Sequence, residues 1–145
     1  MQYKYVKEQL DYSDFSSGRV FYSLSGHPAF PVRLASEIFQ RCVASRKTIY
    51  NNSTPCILYD PCCGAAYHLS VLAYLHREHI QEVIGSDIDE KTVTLASQNL
   101  GLLGVAGLDK RISEISKMFE LYNKDSHKDA LASGYILKDR ISAFA

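Results

Sequence analysis

An α/β fold built on a parallel sheet is predicted from three observations. Two short apolar runs, Cys56–Asp60 and Glu82–Ile88, are bounded by turn residues, as buried parallel strands are. Each is followed by apolar residues at helical spacing, so the middle of the chain reads strand, loop, helix, strand, loop, helix. The 145 residues are 46% hydrophobic and 22% charged, enough for one globular domain and unlike disordered, collagen-like or coiled-coil chains.

Residues 1–30 form an irregular segment rich in tyrosine and serine, with Val20-Phe21-Tyr22 as a possible short strand and Gly26-His27-Pro28 as a turn. Pro31 suits a first helical position, because its missing N–H has no partner there in any case. Val32, Ala35, Ile38, Phe39, Cys42 and Val43 then predict a helix over about residues 31–46. After the polar loop Lys47–Pro55 comes the first strand, then a helix over about residues 66–79. The second strand ends in Asp87, and Asp89 can cap a helix over about residues 90–103. Ile112, Ile115, Phe119 and Tyr122 mark another helix, and a further amphipathic stretch runs from about Asp129 to Phe144. These last helices are expected to pack over the sheet. No third strand is evident after residue 103. The expected division is an irregular segment at 1–30, a partial α/β domain at 31–108 and a helical segment at 109–145.

The longest apolar stretch, Leu100–Leu108, contains three glycines and is shorter than the roughly 20 residues of a membrane span. The N-terminal MQYKYVKEQLDY lacks the apolar centre of a signal peptide, so the expected location is cytoplasmic and no membrane partner is expected. Cys42, Cys56, Cys62 and Cys63 form no CxxC pair, which argues against structural zinc, and no metal site is expected. The four thiols are expected to be buried or half-buried. A lowered thiol pKa at Cys62 or Cys63 is the alternative. Net charge is zero, with a basic surplus in residues 1–50 and six acids to two bases in residues 51–103. That distribution permits a nucleic-acid partner without requiring one.

Asp60-Pro61-Cys62-Cys63-Gly64 follows the first strand, where open α/β sheets bind ligands. Gly64 lets backbone approach a ligand closely. Asp60 is out of place in a phosphate loop, which offers N–H donors to an anion, and suits a ligand with a cationic end. Asp87 can accept hydrogen bonds from the vicinal hydroxyls of a ribose. A ribose and a positive charge without a pyrophosphate describe S-adenosyl-L-methionine. NAD fits worse, since G-x-G-x-x-G is absent. The plain alternative is that both acids cap turns and helices.

DPCCG and the Ser86-Asp87 turn resemble the first two motifs of class I S-adenosylmethionine-dependent methyltransferases. Gly26–Arg41, Ala96-x-x-Asn99-Leu100 and the run Leu102–Leu108 resemble the AviRa-type ribosomal RNA methyltransferases of avilamycin resistance. The resemblance covers about residues 11–108. It implies the N-terminal part of a Rossmann-like parallel sheet, S-adenosyl-L-methionine as methyl donor, and a guanine of large-subunit ribosomal RNA as target. By the same resemblance Asp60, Cys62 and Gly64 would lie along the methionine part of the donor. Asp87 would hold the ribose and Ile88 would pack on the adenine. Phe30 and Arg33 would close the site, with Arg33 on the donor carboxylate. The alternatives are a hydrophobic staple for Phe30 and a solvated helix position for Arg33.

Two departures accompany the resemblance. Ala65-Ala66 stands where a second flexible residue, often glycine, is usual. The family's proline-containing loop that positions the target amine has no counterpart, because the four prolines are at 28, 31, 55 and 61. The later strands are missing as well, and the catalytic residues are unknown. The expectation is therefore a truncated methyltransferase or a non-catalytic remnant that binds the donor, RNA or protein. Its open sheet edges could pair with a second copy.

Overall fold

A computed structural model describes residues 10–144. Residues 1–9 of the expected N-terminal segment, and Ala145, lie outside the described residues. The elements in order are a 3-10 turn (Ser13–Phe15), α1 (Val32–Tyr50), β1 (Cys56–Asp60), α2 (Tyr67–Leu75), a 3-10 turn (Arg77–His79), β2 (Ile80–Gly85), α3 (Glu90–Gly101), α4 (Val105–Tyr122) and α5 (Asp125–Ser142).

β1 and β2 pair in parallel, with Leu58 opposite Val83 and Asp60 opposite Gly85, and one register irregularity near Cys56. Cys56, Leu58 and Ile80 pack against Phe39, Val43 and Leu72 of α1 and α2. Leu58 also meets Cys63, Leu69 and Ala96. The opposite face is uncovered: Ile57, Tyr59 and Ile84 are 57%, 56% and 42% exposed. The strands are therefore half-buried, not buried on both faces as their apolar run suggested. Both helices that follow the strands contribute to the same face.

The boundaries differ from expectation for local reasons. α1 runs to Tyr50, ending where Asn51 takes φ 50°, because no glycine or proline interrupts the polar stretch before it. α2 stops at Leu75 because His76 leaves the helix at φ −130° and turns inward onto Ser36. β2 begins earlier than expected and ends at Gly85, so Asp87 lies two residues beyond the strand. Asp89 does cap α3, accepting from the Lys91 N–H at 3.3 Å and from the Thr92 hydroxyl.

Val20–Tyr22 is not a strand. Val20 and Phe21 are both fully buried, but the segment pairs with neither described strand. The side chain of Asn99 takes the place of a pairing strand. Its Oδ1 accepts from the Tyr22 N–H at 2.8 Å, and its Nδ2 donates to the carbonyls of Tyr22 at 3.0 Å and Ala65 at 2.8 Å.

α4 and α5 form an antiparallel hairpin turned at Asn123, which takes φ 46°. A Lys138–Asp109 ion pair at 2.6 Å bridges the two helices. They do not form a layer on the sheet, as their periodicity suggested. Leu108, Leu137 and Ile141 pack with Phe15, Phe21, Tyr67, Val71 and Tyr74 in the largest core cluster. The outer face of α2 and the N-terminal segment are thus what the hairpin covers. Arg111 reinforces this: its Nε donates to the Val20 carbonyl at 2.7 Å, and its guanidinium lies 4.2 Å over the Tyr22 ring. The division drawn at residue 108 runs through α4, and the core unites residues from all three expected segments.

Among the described residues no helix is long and apolar enough to cross a membrane. Cys63 is buried and Cys56 half-buried, but Cys42 and Cys62 are exposed, against the expectation for all four. Cys42 lies on the open side of α1, and Cys62 sits at the tip of the loop after β1.

Candidate functional site

The parallel pairing of β1 and β2 brings the loops after both strands to one rim. Backbone bonds join the loops there. The Ser86 N–H donates to the Asp60 carbonyl at 3.0 Å, and the Cys63 N–H donates to the Ser86 carbonyl at 2.9 Å. Gly64, at φ +54°, turns its N–H onto Asp87 Oδ2 at 2.9 Å. That backbone region disfavours residues with a Cβ. Asp60, Gly64 and Asp87 therefore stand together at one rim.

Each carboxylate is held by donors from the chain itself. Asp60 Oδ1 accepts from the Cys62 N–H at 2.9 Å, and Oδ2 lies 2.8 Å from His68 Nε2. Asp87 Oδ1 accepts from the Asp89 N–H at 3.1 Å. The N–H groups of Asp89 and Gly64 keep the Asp87 carboxyl below the usual carboxylate range. A carboxylate offers about four acceptor positions, so these bonds leave capacity for a ligand's hydroxyls. The turn-capping alternative is thus realised, and it does not exhaust either acid.

Beside this rim lies a cleft of about 380 Å³, lined by residues that include Tyr22, His27, Phe30, Cys62, Gly64 and His68. That volume is within the roughly 300–1,000 Å³ of small-molecule sites. No lysine or arginine is among the described residues lining it. An anionic pyrophosphate would find no lysine or arginine there, and Asp60 and Asp87 stand at the adjoining rim and not in the lining itself. The residues present fit a cationic nucleoside better than a dinucleotide.

The other expected residues are placed less uniformly. Phe30 lines the cleft and also a neighbouring apolar groove of about 340 Å³, which it shares with Ala35 at staple spacing. Arg33 is exposed on the first turn of α1 and lines neither cavity. Ile88 is fully exposed beyond Asp87. Burial, followed by the carboxylates of Asp60 and Asp87, pushes the Cys63 thiol up, so it stays protonated rather than becoming a reactive thiolate.

The sequence pattern assigns no role to His68 or Gly85, and Asn99 figures there only within a motif. His68 contacts Asp60 from the start of α2. Gly85 ends β2 where an added Cβ would stand 2.9 Å from Cys63 Sγ. Asn99 ties the wall of the cleft to α3 through Tyr22 and Ala65. A glycine within a strand pattern is a signal for close approach, and Gly85 carried it. The partners of His68 and Asn99 are too remote in sequence to be read from spacing.

A parallel strand–helix–strand–helix unit with one acid ending the first strand and another two residues past the second defines a Rossmann-like α/β protein. The family model described as rRNA methyltransferase AviRa matches residues 1–144, and the chain belongs to that family. It is 43% identical over 141 residues to the 23S rRNA (guanine(2535)-N(1))-methyltransferase of Streptomyces viridochromogenes, a match covering 97% of this chain and 55% of that protein. Two solved structures of the rRNA methyltransferase aviRa from the same organism, at 2.4 Å and 1.5 Å resolution, superpose with a TM-score of 0.86 and 43% identity. Each superposition covers 94% of this chain and 53% of the solved one. The chain thus spans about half the length of the relatives it matches. The name of the curated relative places its methyl group on N1, a ring nitrogen of guanine, and not on an exocyclic amine.

Proposed function

We propose that this chain holds S-adenosyl-L-methionine at the Asp60–Asp87 rim and serves methyl transfer to a guanine of 23S ribosomal RNA. The observation that carries this reading is the Gly64 N–H bond to Asp87, which joins the loop after Asp60 to the second acid beside a cleft whose described lining includes no lysine or arginine. Asp87 receives the ribose hydroxyls, and Asp60 faces the cationic methionine end. Gly64 lets the chain come close between them, with Cys62 alongside. Phe30 closes the cleft from the N-terminal side and Ile88 covers the adenine, while Arg33, outside the cleft, is assigned no contact with the donor. When bound, the donor supplies an electrophilic methyl group. What these residues contribute is position and electrostatics. The target guanine must leave its stack to reach the rim. Work on ribosomal RNA belongs to the cytoplasm and needs no membrane partner.

A second reading rests on the two-stranded sheet with its bare face. The chain binds the donor or RNA without catalysing transfer, and its open sheet edges pair with a second copy. A labelled-methyl assay on large-subunit ribosomal RNA separates the readings: incorporation by this chain supports the enzyme, and donor binding without incorporation supports the binding module. For the site itself, calorimetric titration of S-adenosylmethionine is expected to show binding that Asp87→Ala weakens at least about tenfold, as loss of charge-assisted bonds would. No binding by the folded chain refutes the assignment.

A further inference from the structure

His68 is the second residue of α2, and nothing in the spacing of the sequence connects it with the strand-end acids. Its Nε2 nevertheless lies 2.8 Å from Asp60 Oδ2, while the Cys62 N–H occupies Oδ1 at 2.9 Å. Donors from two different elements therefore fix both the plane and the direction of one carboxylate. The Phe30 ring lies 6.0 Å from the imidazole, tilted by 47°, and steadies it from the N-terminal side. His68 lines both the cleft beside Gly64 and the apolar groove beside β1, so its ring is the wall between them.

The remaining histidines are engaged differently. His76 bonds Ser36, and His79 lies 3.6 Å from Glu78. His27 lies within electrostatic reach of Asp87 from the N-terminal segment. The His127 ring lies 6.1 Å from that of Tyr122, tilted by 51°, far along the chain from the rim. Only His68 contacts the acid of the first strand.

We infer that His68 is a positioning residue that aims the Asp60 carboxylate at the cationic end of the nucleoside in the cleft. The inference rests on the reading of Asp60 proposed above. A hydrogen-bond donor at Nε2 is what the role requires. Glutamine presents an amide donor at nearly the same reach. Leucine fills similar space and presents none. Two probes separate positioning from folding: S-adenosylmethionine carries the cationic end, and 5′-methylthioadenosine keeps the nucleoside without it.

The test is calorimetry of both probes with the chain and its His68→Leu, His68→Gln and Asp60→Asn variants. His68→Leu is expected to weaken S-adenosylmethionine about tenfold, as loss of one charge-assisted contact would, and to leave 5′-methylthioadenosine within about twofold. His68→Gln should restore most of the loss. In the Asp60→Asn background, His68→Leu should have little further effect, because the two residues act as one unit. Equal weakening of both probes by His68→Leu, or failure of His68→Gln to rescue, overturns the positioning role. Absence of S-adenosylmethionine binding to the unaltered chain overturns the donor site itself, and the inference with it.

Discussion

Ala66 takes φ 53° immediately before α2 while its methyl group is fully buried. Alanine resists that region at about 1–2 kcal/mol. Burial of the methyl among Cys63, Leu69 and Ala96 offsets part of this. The sequence shows alanine where a flexible residue is expected, and the backbone takes the flexible conformation regardless. Gly85 is the opposite case, a position where space decides. A Cβ there would meet Cys63 Sγ at 2.9 Å, Cys63 Cβ at 3.0 Å and Leu69 Cδ1 at 3.3 Å. Gly85→Ala should lower stability by about 2 kcal/mol in a denaturant melt, the usual scale of overpacking. It should also weaken S-adenosylmethionine binding, because Cys63 cannot yield without moving Gly64. Unchanged stability would show that the loop relaxes freely.

At the scale of elements, α1 and α2 are joined by a buried polar contact. Ser36 Oγ lies 2.9 Å from His76 Nε2 and accepts from Gln40 at 3.0 Å, so the serine proton is available to the imidazole. Burial lowers the His76 pKa below the ordinary 6.5, against a smaller opposing pull from Glu78. The unfolded chain then takes up a proton more readily than the folded one. The His76 contribution is complete above the ordinary value and is lost as pH falls from there through the folded value. The melting temperature should therefore decline from about pH 7 to pH 5, and His76→Gln should flatten that decline. An unaltered slope would remove His76 as its source. The sheet and the order of elements were legible because apolar runs, turn residues and Asp89 act locally. Where α2 stops was not, since His76 answers to Ser36, 40 positions away. The Val20–Tyr22 segment misled for the same reason, its partner being Asn99, 77 positions on.

The whole molecule is one-sided. Among the described residues the helices that meet the two strands do so on one face, and Ile57, Tyr59 and Ile84 stay bare on the other. Exposed strand edges invite pairing with another chain. Edge-to-edge pairing of two copies would set the bare faces side by side. Lysines at Tyr59 and Ile84 would then repel across the junction while leaving the core untouched. Sedimentation velocity should find a dimer for the unaltered chain and a monomer for Tyr59→Lys/Ile84→Lys. A monomeric unaltered chain at its highest soluble concentration contradicts the second-copy reading. Local patterning announced the strands but not that both helices would choose one side of them, which depends on crossovers and on where the α4–α5 hairpin settles.

The bond from Gly64 N–H to Asp87 Oδ2 has an energetic consequence. It connects the loop of one acid to the side chain of the other, so a molecule spanning the rim would not be sensed as two independent halves. Disturbing the sugar end would be felt at the amino-acid end, and the effects of altering Asp60 and Asp87 together should depart from the sum of the separate effects. Cooperation between the ends of a ligand would then be a property of the rim itself, set by a single amide hydrogen.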